Sequence, residues 1–192
     1  MDIDKVIEKR ISIRGFKKKK VPFGKVLDAI SSALQGPFAG NFNNLKFLII
    51  ESPDTIKQIS KNCQQTWISE SPLIILVCTD DSHLERIYGE RGRVYSRQQA
   101  GAAISTLQLK LTDLNIDSCW VGSYSDDLLK QVLEIPQHIQ IEAVIPAGYS
   151  SKERTKPKKK ELETVLYWET WENDKRPAIF KETPEEKALR SE

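Results

Sequence analysis

Ser96-Arg97-Gln98-Gln99-Ala100-Gly101-Ala102-Ala103-Ile104-Ser105-Thr106-Leu107-Gln108-Leu109-Lys110-Leu111-Thr112-Asp113-Leu114 is the longest stretch of helical periodicity in the chain. Ala100, Ala103, Ile104, Leu107, Leu111 and Leu114 fall on one face and make an apolar stripe. The small residues Gly101, Ala102 and Ala103 permit a close-packed neighbour, so this helix is expected at the centre of the fold. On its C-terminal side, Cys119 to Ser123 reads as a short strand. Ser125-Asp126-Asp127 then caps a helix running through Leu133, and Ile139 to Tyr149 reads as a long strand. On its N-terminal side, Pro72 to Thr79 is a continuous apolar run, the pattern of a strand buried on both faces. Residues 80–95 lie between that run and the helix. They are polar, carry Arg86, Arg91, Arg93, Tyr88 and Tyr95, and read as an exposed helical or loop excursion.

Further out, Ile3, Val6 and Ile7 have helical spacing and predict a first helix ending near Arg10. Pro22 suits the first turn of a second helix, whose face is Val26, Leu27, Ile30, Ala33 and Leu34 and whose stop is Gly36-Pro37. Leu45 to Glu51 reads as a strand, and Ser52-Pro53-Asp54 as the cap and opening turn of a helix reaching about Asn62. The expected order is αα-β-α-β-α-β-α-β, followed by a charged tail. One domain is expected over residues 1–171, with 172–192 as a charged extension, mobile or forming an arm. Within the polar C-terminal region, Val165, Leu166, Tyr167, Trp168 and Trp171 form a small apolar cluster. It suits either this chain's own core or a partner subunit.

At 192 residues, with 39% hydrophobic and 29% charged residues, the chain has the balance of a folded globular protein. Its formal net charge of +2 argues against a dedicated nucleic-acid binder. The apolar runs are strand-length and too short to span a bilayer, and Met1-Asp2-Ile3-Asp4-Lys5 lacks a signal-peptide hydrophobic region. Cys63, Cys78 and Cys119 show no Cys-x-x-Cys pairing, so neither a disulfide framework nor a zinc site is expected. These features together suggest a cytoplasmic protein.

Arg10-Ile11-Ser12-Ile13-Arg14-Gly15-Phe16 carries the most chemistry. In an extended segment, Arg10, Ser12 and Arg14 turn to one side, with Ile11 and Ile13 on the other. Two guanidinium groups and a hydroxyl so arranged suit a doubly charged, oxygen-rich ligand such as a phosphate ester. Lys156-Pro157-Lys158-Lys159-Lys160 is a second basic cluster, whereas Lys17 to Lys20 reads as a solvated run. Gly36-Pro37-Phe38-Ala39-Gly40-Asn41-Phe42-Asn43-Asn44 offers side-chain amides that match a flat heterocycle with alternating donors and acceptors. Its glycines let the backbone approach closely. Asp117 to Ser123, where a strand follows the long helix, could line a crevice, and Gln64 is a weaker candidate. His83 and His138 build no catalytic triad, and no Walker or Gly-x-Gly-x-x-Gly loop is present. Anion-binding and heterocycle-binding features without an acid, base or metal describe a protein whose cofactor does the chemistry.

In this order the motifs resemble the FMN-dependent nitroreductase family. Arg10 to Phe16 resembles its Arg-Arg-Ser-x-Arg-x-Phe opening, and Gly36 to Asn44 its Ala-Pro-Ser-x-x-Asn-x-Gln-Pro-Trp loop. Ser71-Pro72-Leu73-Ile74-Ile75 is similar to its Ala-Pro strand and Cys119-Trp120-Val121-Gly122 to its Cys-Trp-Ile-Gly strand. Gly148-Tyr149 with Lys156-Pro157-Lys158-Lys159 is similar to its Gly-Tyr and Lys-Pro-Arg-Lys ending. The departures are Ile11 for Arg, Phe38 for Ser, Asn43 for Gln, Asn44-Leu45 for Pro-Trp and Lys158 for Arg. Gln99 stands where the family often has Asp at the start of its long helix, and Asn115 and Asp117 replace glycines.

The resemblance implies an α+β, nitroreductase-like three-layer sandwich with a mixed, mainly antiparallel sheet, assembled as an intertwined homodimer with FMN at the interface. Arg10, Ile11 and Ser12, with Lys156 and Lys158, would hold the phosphate and ribityl chain. Arg14 would approach the flavin pyrimidine and tune it. Asn41 and Asn43 would come from the partner's loop, the backbone of Val121 and Gly122 would face the N5–O4 region, and Gln64 would be an added contact. The activity implied is transfer of a hydride from NADH or NADPH to a nitroaromatic, quinone or related acceptor. The same fold also implies other outcomes: dehalogenation, flavin cleavage, or flavin binding without turnover.

Overall fold

The computed structural model describes residues 2–153 and 155–175, and the chain divides into two compact units, Met1–Thr155 and Lys156–Glu192. Of the extension expected over 172–192, residues 176–192 lie outside the described residues. In chain order, the first unit contains α1 (Ile3–Lys9), α2 (Phe23–Ala33), β1 (Leu45–Ile50), α3 (Pro53–Asn62), β2 (Leu73–Asp80) and α4 (Ser82–Tyr88). These are followed by α5 (Glu90–Asp113), β3 (Asp117–Ser118), α6 (Asp126–Leu133) and β4 (Ile139–Gly148). The strands form one sheet in the order β1-β2-β4-β3, antiparallel at every junction. Among the described residues, the one parallel pairing is the bridge between Ser12 and Ser118.

β2 is buried along nearly its whole length because its two faces serve two cores. Leu73, Ile75 and Val77 pack with Val26, Ala29 and Ala33 of α2 and with Ala100, Ala103, Ile104 and Leu107 of α5. Ile74, Leu76 and Cys78 pack with Ile56 and Ile59 of α3 and Leu129 of α6. Helices on both faces of a sheet make the three layers of the expected α+β sandwich. Each buried Leu or Ile contributes about 1.5–3 kcal/mol, so this double-sided strand anchors both layers. Among the described residues, no helix is long and apolar enough to cross a membrane.

Two elements differ from expectation. The central helix begins at Glu90, six residues before Ser96, and the stretch 80–95 is a helical hairpin of α4 and the opening of α5. The apolar stripe could not report this, because Glu90, Arg91 and Arg93 lie beyond the sheet and are exposed. Packing against α4 holds these turns instead. A Cβ on Gly92 would lie 2.3 Å from the Leu84 carbonyl oxygen, so only glycine permits this crossing. Gln99 is accordingly in the third turn of α5, not at its start.

The strand expected over Cys119 to Ser123 is instead the two-residue β3, followed by an isolated bridge from Val121 to Val144. Pro146 is the cause. It stands opposite Cys119 and accepts that residue's N–H at 3.2 Å, but has none to return, so the ladder breaks and resumes at Val121.

Ser52 caps α3 as expected, its hydroxyl accepting the Thr55 N–H at 3.4 Å. Ser125 occupies the cap position of α6 without a side-chain bond, and Pro22 precedes α2 rather than entering it. All three cysteines are free and buried. The second unit is described through residue 175. It contains a short turn over Leu162–Val165 and the packed rings of Tyr167 and Trp171, with centroids 5.0 Å apart.

Candidate functional site

Backbone pairing fixes the basic strip. The Ile13 N–H donates to the Ser118 carbonyl at 3.1 Å, the Lys17 N–H to Tyr149 at 2.8 Å, and the Ser151 N–H to Gly15 at 3.1 Å. The strip is thus laid along the free edge of β3, where Ser12 faces Ser118 and Phe16 faces Ser150. Ile13 and Phe16 are buried and Ile11 half-buried, whereas Ser12 and Arg14 are exposed and Arg10 half-exposed. Arg10 also caps α1, its N–H donating to Val6 at 2.9 Å.

All three polar side chains act on Cys119, Ser12 and Arg14 through hydrogen bonds and Arg10 through its charge alone. Burial pushes the Cys119 thiol above its ordinary pKa, while Arg14, Ser12 and Arg10 each pull it down. Neither Arg10 nor Arg14 pairs with a carboxylate among the described residues. Two guanidinium groups therefore face the same edge with their charge uncompensated there, next to the Cys119–Gly122 segment.

Within that segment the Val121 N–H and C=O both bond to Val144, at 2.9 and 3.0 Å. That leaves the second lone pair of the Val121 carbonyl as the backbone acceptor still open at this position. Gly122 is exposed, and a side chain built on it would meet nothing within 4 Å. The two departures just upstream fit the backbone. Asn115 holds a left-handed φ of 58°, which asparagine tolerates better than most residues, and its side chain takes the Lys9 ammonium at 2.6 Å. Asp117 accepts the Ser150 N–H at 2.9 Å.

The asparagine loop is built by other means. Gly40 and Asn41 are consecutive left-handed residues, with φ of 58° and 57°. Asn41 is exposed, and the exposed Asn43 uses its side-chain oxygen to accept the Leu45 N–H at 2.9 Å. Gln99 binds the loop from below, accepting the Ala39 N–H at 3.1 Å and donating to the Phe42 carbonyl at 3.3 Å and to the Asn44 side chain. Asn44 in turn donates to Ser96 at 2.8 Å. Phe42 stacks on His83 of α4, with ring centroids 3.8 Å apart. Beside the loop is a cavity of about 330 Å³ lined by Phe38, Ala39, Tyr95, Gln98, Gln99 and Ala102, among others.

Asn44, Ser96 and Gln99 were not among the expected site residues. Their signal was present, since Ser96 and Gln99 are polar positions on the same face as Ala100 and Ala103.

Strip and loop do not meet within one chain. The loop leads into β1 and the strip flanks β3, at opposite edges of the sheet. They also sit at opposite ends, because Ser118 pairs with Ala147 whereas Asn44 adjoins Asp80, next to the Thr79–Gln140 pair. Strand spacings of about 4.8 Å and rises of about 3.4 Å per residue put them roughly 25 Å apart. Gln64 is exposed just past α3, at a φ of 53°. Lys156 and Lys158 belong to the second unit, where both are exposed and Lys158 lies 3.5 Å from Glu161. The arginines of 80–95 are engaged locally: Arg86 with His83, Arg91 over the Tyr95 ring and Arg93 with Glu85.

The fold has known counterparts. The sequence model described as the Nitroreductase family matches residues 7–72 and 55–149, which together cover most of the chain. The chain belongs to the nitroreductase family. Family membership makes it an oxidoreductase by class. It is 24% identical over 189 residues to an NADH dehydrogenase of Thermus thermophilus, covering 83% of this chain and 92% of that one. It is 23% identical over 190 residues to an iodotyrosine deiodinase of Thermotoga neapolitana, covering 85% and 96%. A crystal structure of oxidised iodotyrosine deiodinase bound to FMN and 3-iodo-L-tyrosine shares the fold, with a TM-score of 0.76 and 20% identity. It covers 88% of this chain and 100% of that one.

Proposed function

We propose that this nitroreductase-family protein binds FMN and passes reducing equivalents from NADH or NADPH to a small organic acceptor, such as a nitroaromatic or quinone. The observation that carries the reading is the strip of Arg10, Ser12 and Arg14 paired along the β3 edge, its arginines without a carboxylate partner among the described residues, with the open Gly122 in the neighbouring segment. That donor set fits the group: guanidinium and hydroxyl for a phosphate, and a glycine backbone with room above it for a planar ring. Arg10 and Ser12 bind the phosphate and ribityl chain, with Ile11 supporting the strip from beneath. Arg14 holds positive charge at the pyrimidine side. Gly122 provides the backbone contact at the ring, and Gln64 an outlying one. When bound, FMN supplies the centre that accepts a hydride from one substrate and gives it to the next.

Asn41 and Asn43 reach the ring from a second copy of the chain, because about 25 Å of sheet separates them from their own strip. The half-exposed Gly101 and Ala102 on the outer face of α5 suit close approach of that copy. Reductive dehalogenation is the second reading, favoured by the deiodinase relative.

The test is direct. The protein mixed with FMN and desalted should stay yellow, and NADH or NADPH should bleach it without oxygen. Arg10→Ala combined with Ser12→Ala should emerge colourless, and full retention of flavin by that variant would rule out the phosphate site. A yellow protein that neither nucleotide bleaches would instead be a flavin carrier.

A further inference from the structure

We propose that Gln99 is a positioning residue for flavin binding, holding Ala39–Asn44 in the shape that presents Asn41; this rests on the FMN reading above. Two left-handed residues in succession are a costly backbone state, and the asparagine at φ 57° carries a Cβ. Such a turn persists only if its surroundings over-determine it. Its own hydrogen bonds are two, Asn41 N–H to Phe38 at 2.9 Å and Phe42 N–H to Ala39 at 3.0 Å.

Gln99 supplies the rest. It is 5% exposed, and its one amide accepts from the residue before Gly40-Asn41 and donates to the residue after. A second donation reaches Asn44, whose own amide is held by Ser96 and the Asp80 carbonyl. Only an amide of this length has the acceptor and the two donors that the three partners require. A carboxylate would face two acceptor oxygens with nothing to give. Tyr88 closes the turn from the other side, since a Cβ on Gly40 would sit 2.8 Å from its hydroxyl.

The near-isosteric Gln99→Glu and the neutral Gln99→Met separate this role from general packing. Three readouts apply: hydrogen exchange of segment 38–44, the FMN dissociation constant from quenching of flavin fluorescence, and thermal melting. Both variants should speed exchange in 38–44 while the core of α5 stays protected, and should weaken FMN binding by about tenfold or more at neutral pH. The ratio of the Gln99→Glu constant to that of the unaltered protein should shrink as pH falls toward the carboxyl range, where the introduced carboxyl, once protonated, regains one donor. The Gln99→Met ratio should stay flat. Unchanged exchange in 38–44 would overturn the proposal, as would FMN affinity within about twofold of the parent's despite faster exchange. If the unaltered protein takes up no FMN, the flavin reading falls and this proposal with it. If the parent binds and both variants bind equally, only the proposal falls.

Discussion

Glu142 is a single residue inserted into β4. The β2–β4 register shifts between Val77 and Cys78, leaving Glu142 as the extra residue of a bulge, with its carboxylate almost wholly buried. Thr79 donates to it at 2.5 Å and Arg97 pairs with it, while Arg97 also holds Asp81 at 2.7 Å. Burial raises the Glu142 pKa, and the Thr79 bond and the Arg97 charge only partly offset that. The native state therefore binds this proton more tightly than the unfolded chain does. Glu142's contribution to stability is present below the ordinary glutamate value and lost as pH rises through the raised one. Glu142→Gln removes that slope. Urea midpoints at about pH 4 and about pH 7 should show the parent losing ground to the variant toward neutrality. A difference that is flat, or that moves the other way, would mean that Arg97 outweighs burial.

At the scale of elements, α4 and α5 cross so tightly that Gly92 lies against the Leu84 backbone. A methyl group there would sit 2.3 Å from the carbonyl oxygen and 2.4 Å from its carbon. Gly92→Ala must push the helices apart, which costs about 1–3 kcal/mol, and calorimetry should show a melt lowered by about 2–4 °C per kcal/mol. An unchanged melt would mean that the hairpin yields freely. This crossing also marks where the sequence stops being legible. Elements bound to the sheet by periodic apolar residues, such as β2, β4, α3 and the core half of α5, were readable because burial leaves its period in the chain. The hairpin of 80–95 was not, because one glycine and a distant carbonyl hold it. β3 was misjudged for a similar reason, its break being set by Pro146 far along the sequence. At the site, alternation matches the burial of Ile13 between the exposed Ser12 and Arg14. That the Val121 N–H is taken by Val144, and that Gln99 grips the asparagine loop, depend on partners that local pattern does not name.

At the scale of the whole molecule, the roughly 25 Å between the basic strip and the asparagine loop in one chain becomes a measurable property of the assembly. If both serve one flavin, each site takes Arg10 from one copy and Asn41 from the other. Arg10→Ala and Asn41→Ala should then each weaken FMN retention, and mixing the two unfolded variants and refolding them should restore part of it. In a mixed dimer, one site receives both substitutions and the other receives neither. Random pairing makes about half the dimers mixed, so about a quarter of all sites regain full FMN affinity. Sites confined to a single chain would show no recovery, because every site in a mixed dimer would still lack one residue. Sedimentation of the unaltered protein gives the independent check: a monomer at concentrations where FMN is retained would remove the second copy from the argument, and the loop with it.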